Sequence, residues 1–240
     1  MQDSLGQLIS LIDLTRLKEN DLPSMVDDLC LKASTPYGHV AAVCVFPEYV
    51  SRVKEKLVHT EVKCATVINF PSGDEPLSKI REEIKNVLQQ GADEIDVVFP
   101  YKAYLSLEKQ SALEVMAVCR ELSKGKILKI IVESGAFPDE KILTSALRDL
   151  LSLNIDFLKT STGKIEKGAS VEAVKCFIQA IQDSQVSCGI KISGGIRTVD
   201  QALTYWKLLA DAFGEDFISP KTVRFGASSL LDEIINHQKD

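Results

Sequence analysis

Positive charge is in short supply. The 28 Lys and Arg stand against 34 Asp and Glu, a formal net charge of -6, so no broad cationic field is available to hold a nucleic-acid backbone. Long apolar runs are also missing. The longest, Val40 to Pro47, is far too short to cross a bilayer. The first residues, Met1 to Arg16, contain Asp3 and Asp13 and lack the basic start, apolar stretch and cleavage site of a secretory signal. A cytoplasmic protein is therefore expected. Cysteine occurs at positions 30, 44, 64, 119, 176 and 188 but never as Cys-x-x-Cys, which predicts reduced, mostly buried thiols. Histidine is scarce. His39, His59 and His237 are too widely spaced to form a metal set, so no metal is expected. With no Pro/Gly/Ser-rich linker and no low-complexity segment, residues 1–240 are expected to form one unit.

What is present is a regular alternation. Short β-branched runs are separated by longer stretches of helical period, the pattern of parallel strands joined by crossover helices. Eight strands are predicted: Ile9 to Thr15, Ala41 to Phe46, Lys63 to Asn69, Glu94 to Phe99, Leu128 to Glu133, Phe157 to Ser161, Gly189 to Ser193, and Thr222 to Gly226. Between them, Leu77 to Gln90 places Leu77, Ile80, Ile84, Val87 and Leu88 on one face and is followed by Gly91, a helix-ending residue. Pro138 and Asp139 start a further helix, and Thr198 to Gln201 has capping-box spacing. This count favours an α/β fold closed as a (β/α)8 TIM barrel over an open doubly wound sheet.

Strand residues two apart share a face. One face is aliphatic, as in Ile12 and Leu14, Val43 and Val45, or Ile190 and Ile192. The other carries Asp13, Glu94, Asp96, Lys129, Glu133, Lys159 and Lys191, with Thr15, Cys44, Ser161 and Ser193 among them. A barrel interior filled only for packing would hold branched apolar residues, so inward charges of both signs point to chemistry. A half-exposed sheet with a wet polar face would show the same alternation, but helices after every strand leave little room for one.

Lys159 and Lys191 fall on the polar face of neighbouring strands. Burial and a second positive charge each disfavour protonation of an amine, which is how a lysine becomes a nucleophile near neutral pH. Asp96, also inward, is placed to work as an acid or base through a water. After the late strands come three glycine-containing loops: Gly163-Lys164, Gly194-Gly195-Ile196-Arg197 and Gly226-Ala227-Ser228-Ser229. Glycine allows a ligand to approach backbone N–H groups, and phosphate sites in such barrels commonly follow the seventh and eighth strands.

Taken together these segments resemble the deoxyribose-phosphate aldolases, a class I aldolase family. The resemblance runs through Ile12 to Thr15, Ala41 to Pro47, Asn69 to Pro71, Gly91 to Pro100, Phe157 to Lys164, Gly189 to Thr198 and Arg224 to Leu230. It implies Lys159 as the Schiff-base lysine, Lys191 as the lysine that perturbs it, and Asp96 as a proton-relay acid. It also implies phosphate on Gly163, Lys164, Gly194, Gly195, Ile196, Arg197, Gly226, Ser228 and Ser229. Asp13, Thr15, Cys44 and Thr162 are expected to contact the substrate. The implied reaction is reversible cleavage of 2-deoxyribose 5-phosphate to glyceraldehyde 3-phosphate and acetaldehyde, with no cofactor. The expected partner is this phosphorylated sugar, and a homodimer is compatible with the sequence. Another Schiff-base barrel aldolase or transaldolase, or a non-catalytic phosphosugar-binding barrel, are the alternatives. Two departures stand out. Ile192-Ser193 occupies the place of Pro-Ala in some members, a change expected to affect packing more than chemistry. The sequence ends at Asp240 without the tyrosine-ending tail that some members carry, so no tail contribution to proton transfer is counted on.

Overall fold

The computed structural model describes residues 2–106 and 108–237. Residues 238–240, on which the expectation about the tail falls, lie outside the described residues, as does Met1. Eight parallel strands close into a barrel: β1 Ile12–Thr15, β2 Ala42–Val45, β3 Lys63–Ile68, β4 Glu94–Val98, β5 Ile127–Ile131, β6 Phe157–Lys159, β7 Gly189–Ser193 and β8 Val223–Ala227. Each strand pairs with its neighbours in sequence, and β1 pairs with β8 to complete the circle. The predicted fold is therefore the observed one.

Around the barrel lie α1 Gln2–Ser10, α2 Pro23–Lys32, α3 Val50–Lys56, α4 Leu77–Gln89, α5 Tyr101–Leu105, α6 Lys109–Leu122, α7 Glu140–Leu151, α8 Val171–Ser184, α9 Val199–Phe213 and α10 Leu230–His237. Local chemistry sets their ends. The Asp139 side chain accepts from the Ile142 N–H at the start of α7, and Thr198 with Gln201 forms the anticipated capping box on α9. A cap of this kind contributes about 1 kcal/mol. Gly91, at φ +95°, ends α4 where a side chain would be strained. The first predicted strand began too early. Ile9 and Ser10 belong to α1, and a short apolar run read alone fits a buried helix end as well as a strand. Of the remaining strands β7 has the predicted bounds and the others begin or end one or two residues differently, and Ser34–Thr35 with Gly38–His39 forms a small ribbon that the sequence did not announce.

The register decides what the barrel encloses. Asp13 lies level with Ala42 and Gly226, Asp96 with Val67 and Lys129, and Lys191 with Lys159 and Arg224. On β2 and β3 the interior residues are small and apolar, Ala42, Cys44, Ala65 and Val67. Long side chains from β5 to β8 occupy the space left opposite them. The aliphatic residues on the other face, such as Ile12, Val43, Ile95 and Ile190, are fully buried in the main core shared with the helices.

Candidate active site

Seven charged side chains meet inside the barrel. Lys129 reaches all three carboxylates, Glu94 at 2.5 Å, Asp96 at 2.9 Å and Asp13 at 3.4 Å. Lys191 bridges Asp13 at 2.5 Å and Asp96 at 2.7 Å, and Arg224 bridges Asp13 at 2.6 Å and Glu94 at 2.8 Å. Lys159 has a single carboxylate partner. Its Nζ lies 2.8 Å from Asp96 Oδ2, the oxygen that also receives Lys191. All seven side chains are buried, which excludes the wet-sheet alternative.

The electrostatics separate Lys159 from the other lysines. Burial works against the charged form of every one of them. For Lys191 the facing Asp13 and Asp96 outweigh that penalty and hold the ammonium above its ordinary range. Lys129, facing Asp96, Glu94 and Asp13, is likewise pushed up. Lys159 is pushed down, because burial and the Lys191 charge together exceed the opposing pull of Asp96. Asp96 is fully buried, yet its three lysines hold it well below the usual carboxylate range. Lys191, Lys129 and Arg224 overcome the burial of Asp13 and keep it ionised.

Two parts of this cluster differ from expectation. Arg224 belongs to it although it was not among the predicted inward charges. Strand parity would have included it, since it is level with Lys191. Glu133 is buried as expected but stands outside the ion-pair cluster. β5 ends at Ile131, and Glu133 at φ +58° turns out of the strand alternation to accept hydrogen bonds from the Thr162 N–H, at 3.2 Å, and the Thr162 hydroxyl. Burial pushes its carboxyl up, with the Thr162 hydrogen bonds opposing.

Above the charges opens a cavity of about 690 Å³ at the C-terminal ends of the strands. Lys159, Thr15 and Thr162 line it, whereas Lys191, Asp96, Asp13 and Cys44 lie beneath its surface. Of the predicted phosphate residues, Gly163, Lys164, Gly194, Gly195, Ile196, Arg197, Gly226 and Ser228 all line this cavity, and Ser229 does not. Its far end adds Met25, Asp28 and Lys32 from α2, which motif reading did not find.

The loops are built for close approach of a ligand. Gly194 and Gly195 sit at φ +92° and +95°, and a Cβ at Gly194 would come within 3.0 Å of Gly168 Cα. A Cβ on Gly226 would stand 2.9 Å from Ser193 Cβ. Thr160 pins the loop base, its hydroxyl accepting from the Ser193 N–H and donating to the Ser193 carbonyl, both at 2.9 Å. At α9 the Gln201 side chain already accepts from the Arg197 N–H, at 2.8 Å. Arg197 therefore has its side chain, not its backbone, to offer an anion. Lys164 spans the mouth, donating to the Leu17 carbonyl at 2.6 Å beside the Phe70 ring.

The model of the DeoC/LacD family aldolases matches residues 7–234. A deoxyribose-phosphate aldolase of Agrobacterium fabrum is 37% identical over 238 residues, 98% of this chain and 92% of the relative. The chain belongs to the DeoC/LacD aldolase family. Among solved structures, a deoxyribose-phosphate aldolase from Aeropyrum pernix, described as tetrameric, is 28% identical with a TM-score of 0.78, covering 99% of this chain and 93% of that one. A structure from Coccidioides immitis assigned to the same enzyme is also 28% identical, with a TM-score of 0.86 over 98% and 87% of the two chains.

In this family member the donor set is one of amines, carboxylates and loop amides. No group of three or more His, Cys, Asp or Glu is arranged to hold a metal among the described residues. All six cysteines are free and buried, and no helix among those described is long and apolar enough to cross a membrane.

Proposed function

We infer that the protein is a lyase that reversibly cleaves 2-deoxy-D-ribose 5-phosphate into D-glyceraldehyde 3-phosphate and acetaldehyde through a Schiff base on Lys159. The observation that carries this reading is Lys159 itself. Alone among the buried lysines it opens on the cavity, and its amine is pushed toward the neutral, nucleophilic form.

In the cleavage direction the Lys159 amine attacks the C1 aldehyde, and loss of water gives a protonated imine. Removal of the C3 hydroxyl proton lets the C2–C3 bond break, its electron pair passing to the imine nitrogen as the enamine forms. Glyceraldehyde 3-phosphate leaves. The enamine carbon then takes a proton, and hydrolysis frees acetaldehyde and Lys159. Lys191 and Asp96, lying under Lys159, are the groups we assign to proton transfer through a bridging water. Asp96 is held ionised by Lys129 and Lys191 even when Lys159 is a free amine, so Lys191 is the member of the pair that can donate. Thr15 and Thr162 face the sugar from the cavity wall, while Asp13 and Cys44 act from beneath it. The loops at Gly163, Gly194 to Arg197 and Gly226 to Ser228 receive the phosphate, whose binding energy holds the reacting carbons over Lys159.

We further place the enzyme in the cytoplasm, in keeping with its unpaired cysteines, and read it as self-associating to a dimer, which sedimentation would check. Turnover of deoxyribose 5-phosphate in an NADH-coupled assay, compared in the reverse direction with acetaldehyde, pyruvate and dihydroxyacetone as donors, tests the reaction. Preference for acetaldehyde is expected. Preference for pyruvate or dihydroxyacetone would indicate a different Schiff-base aldolase, and no product with any donor would leave a binding barrel.

A further inference from the structure

The roles given to Lys159, Lys191 and Asp96 leave Arg224 and Glu94 without a task, although burying a charge is costly unless it is compensated. Neither lines the cavity. Arg224 is nonetheless firmly seated. Besides its bonds to Asp13 and Glu94, its Nε donates to the Pro220 carbonyl at 2.5 Å, and its guanidinium lies 5.6 Å from the Phe157 ring centroid. That ring packs where Gly189 has no side chain, since a Cβ there would stand 2.4 Å from Phe157 Cε1.

The ion-pair cluster holds four bases, Lys129, Lys159, Lys191 and Arg224, against three carboxylates, Asp13, Glu94 and Asp96. A buried group of charges is least costly when they balance, so one base must be neutral. Arginine does not deprotonate in proteins. Lys129 contacts three carboxylates and Lys191 two, whereas Lys159 shares one oxygen of one carboxylate. Lys159 is the base left over. The other titratable groups around it do not change this count. The Cys44 thiol is pushed up by burial, Glu133 is pushed up and held by Thr162, and Lys164 is turned toward Leu17 at the mouth.

We propose that Arg224 and Glu94 are positioning residues which, without reaching the substrate, hold Lys159 as a free amine by setting the charge count of the buried cluster. The proposal rests on Lys159 being the Schiff-base lysine. It makes two predictions of opposite sign. Arg224→Met removes a cation, so Lys159 takes up the missing charge and imine formation moves to more alkaline pH. Glu94→Gln removes an anion, so the amine form persists to lower pH. With the removed charge one carboxylate further from Lys159 than Lys191 is, each shift should be about one pH unit, or roughly tenfold in trapped imine on the steep limb of the profile. Combining the two changes restores the balance and should return the profile toward wild type.

The test is the pH dependence of borohydride-trapped acetaldehyde imine on Lys159, read by peptide mass in the wild type, both single variants, the double variant and Arg224→Lys. Opposite shifts, a restored double variant and a Lys variant near wild type are expected. Unmoved profiles, or single variants moving in the same direction, would overturn the proposal, because a purely structural loss has no reason to reverse sign. Should Arg224→Met fail to fold, Glu94→Gln and the balanced double variant still decide by the same criterion. If the wild type itself formed no imine at Lys159, the proposed reaction would fall first, an outcome distinct from unmoved variants.

Discussion

Replacing Lys191 by Met keeps most of the stem and deletes the positive charge that opposes protonation of Lys159. Both ammonium nitrogens contact Asp96 Oδ2, at 2.8 and 2.7 Å. They can therefore stand no more than about 5.5 Å apart, where two unit charges repel by about 3 kcal/mol at an effective dielectric of about 20. At 1.36 kcal/mol per pH unit this is roughly 2 units on the Lys159 amine. The sign follows from the direction of the perturbation. Lys159 is pushed down by burial and by Lys191, so losing Lys191 raises it and leaves less free amine at a given pH. Burial remains and the shift is partial. The rate and extent of borohydride-trapped imine with acetaldehyde, followed from about pH 5 to 10, should show a midpoint moved by roughly 2 units toward alkali. A wild-type midpoint with reduced turnover would refute the electrostatic role and leave Lys191 as a proton carrier only.

Truncating Arg197 or Lys164 to Ala removes a charge-assisted contact worth about 1.5 to 3 kcal/mol, so kcat/KM for deoxyribose 5-phosphate should fall by about ten- to a hundredfold. Unphosphorylated deoxyribose should be nearly unaffected, and equal losses on both substrates would show that these side chains do not read phosphate. Lys129→Met leaves Glu94, Asp96 and Asp13 without their shared partner and should cost about 3 to 5 kcal/mol in denaturant unfolding. Glu133→Gln, which disturbs hydrogen bonds to Thr162 but no ion pair, should cost less, and the reverse order would contradict the cluster described. Gly189→Ala drives a methyl group into the Phe157 ring and should destabilise by about 1 to 3 kcal/mol, whereas an unchanged melting temperature would mean the ring moves freely.

Most of this architecture is legible in strand parity. Asp13, Asp96, Lys129, Lys159 and Lys191 were placed inside because residues two apart share a face, and all five are there. The glycine loops were legible for a different reason: each follows a late strand of a barrel, where a ligand has access. Arg224 was equally legible, since its place between Val223 and Phe225 repeats the alternation that put Lys191, between Ile190 and Ile192, on the inner face. Glu133 was over-read. Its left-handed backbone takes it out of the alternation, and nothing in a pattern of period two reveals such a break. The contributions of Met25, Asp28 and Lys32 to the cavity depend on how α2 crosses the mouth, which is a matter of tertiary packing rather than motif.

The central claim is that Lys159 is the nucleophile, and covalent capture tests it most directly. The protein is incubated with acetaldehyde, reduced with borohydride, digested and mapped by peptide mass. The account predicts a single reduced two-carbon adduct on Lys159. Lys164, five residues further on and tied to the Leu17 carbonyl at the cavity mouth, should remain unmodified. An adduct on Lys164, Lys191 or Lys129 in place of Lys159, or no adduct at all, would contradict it.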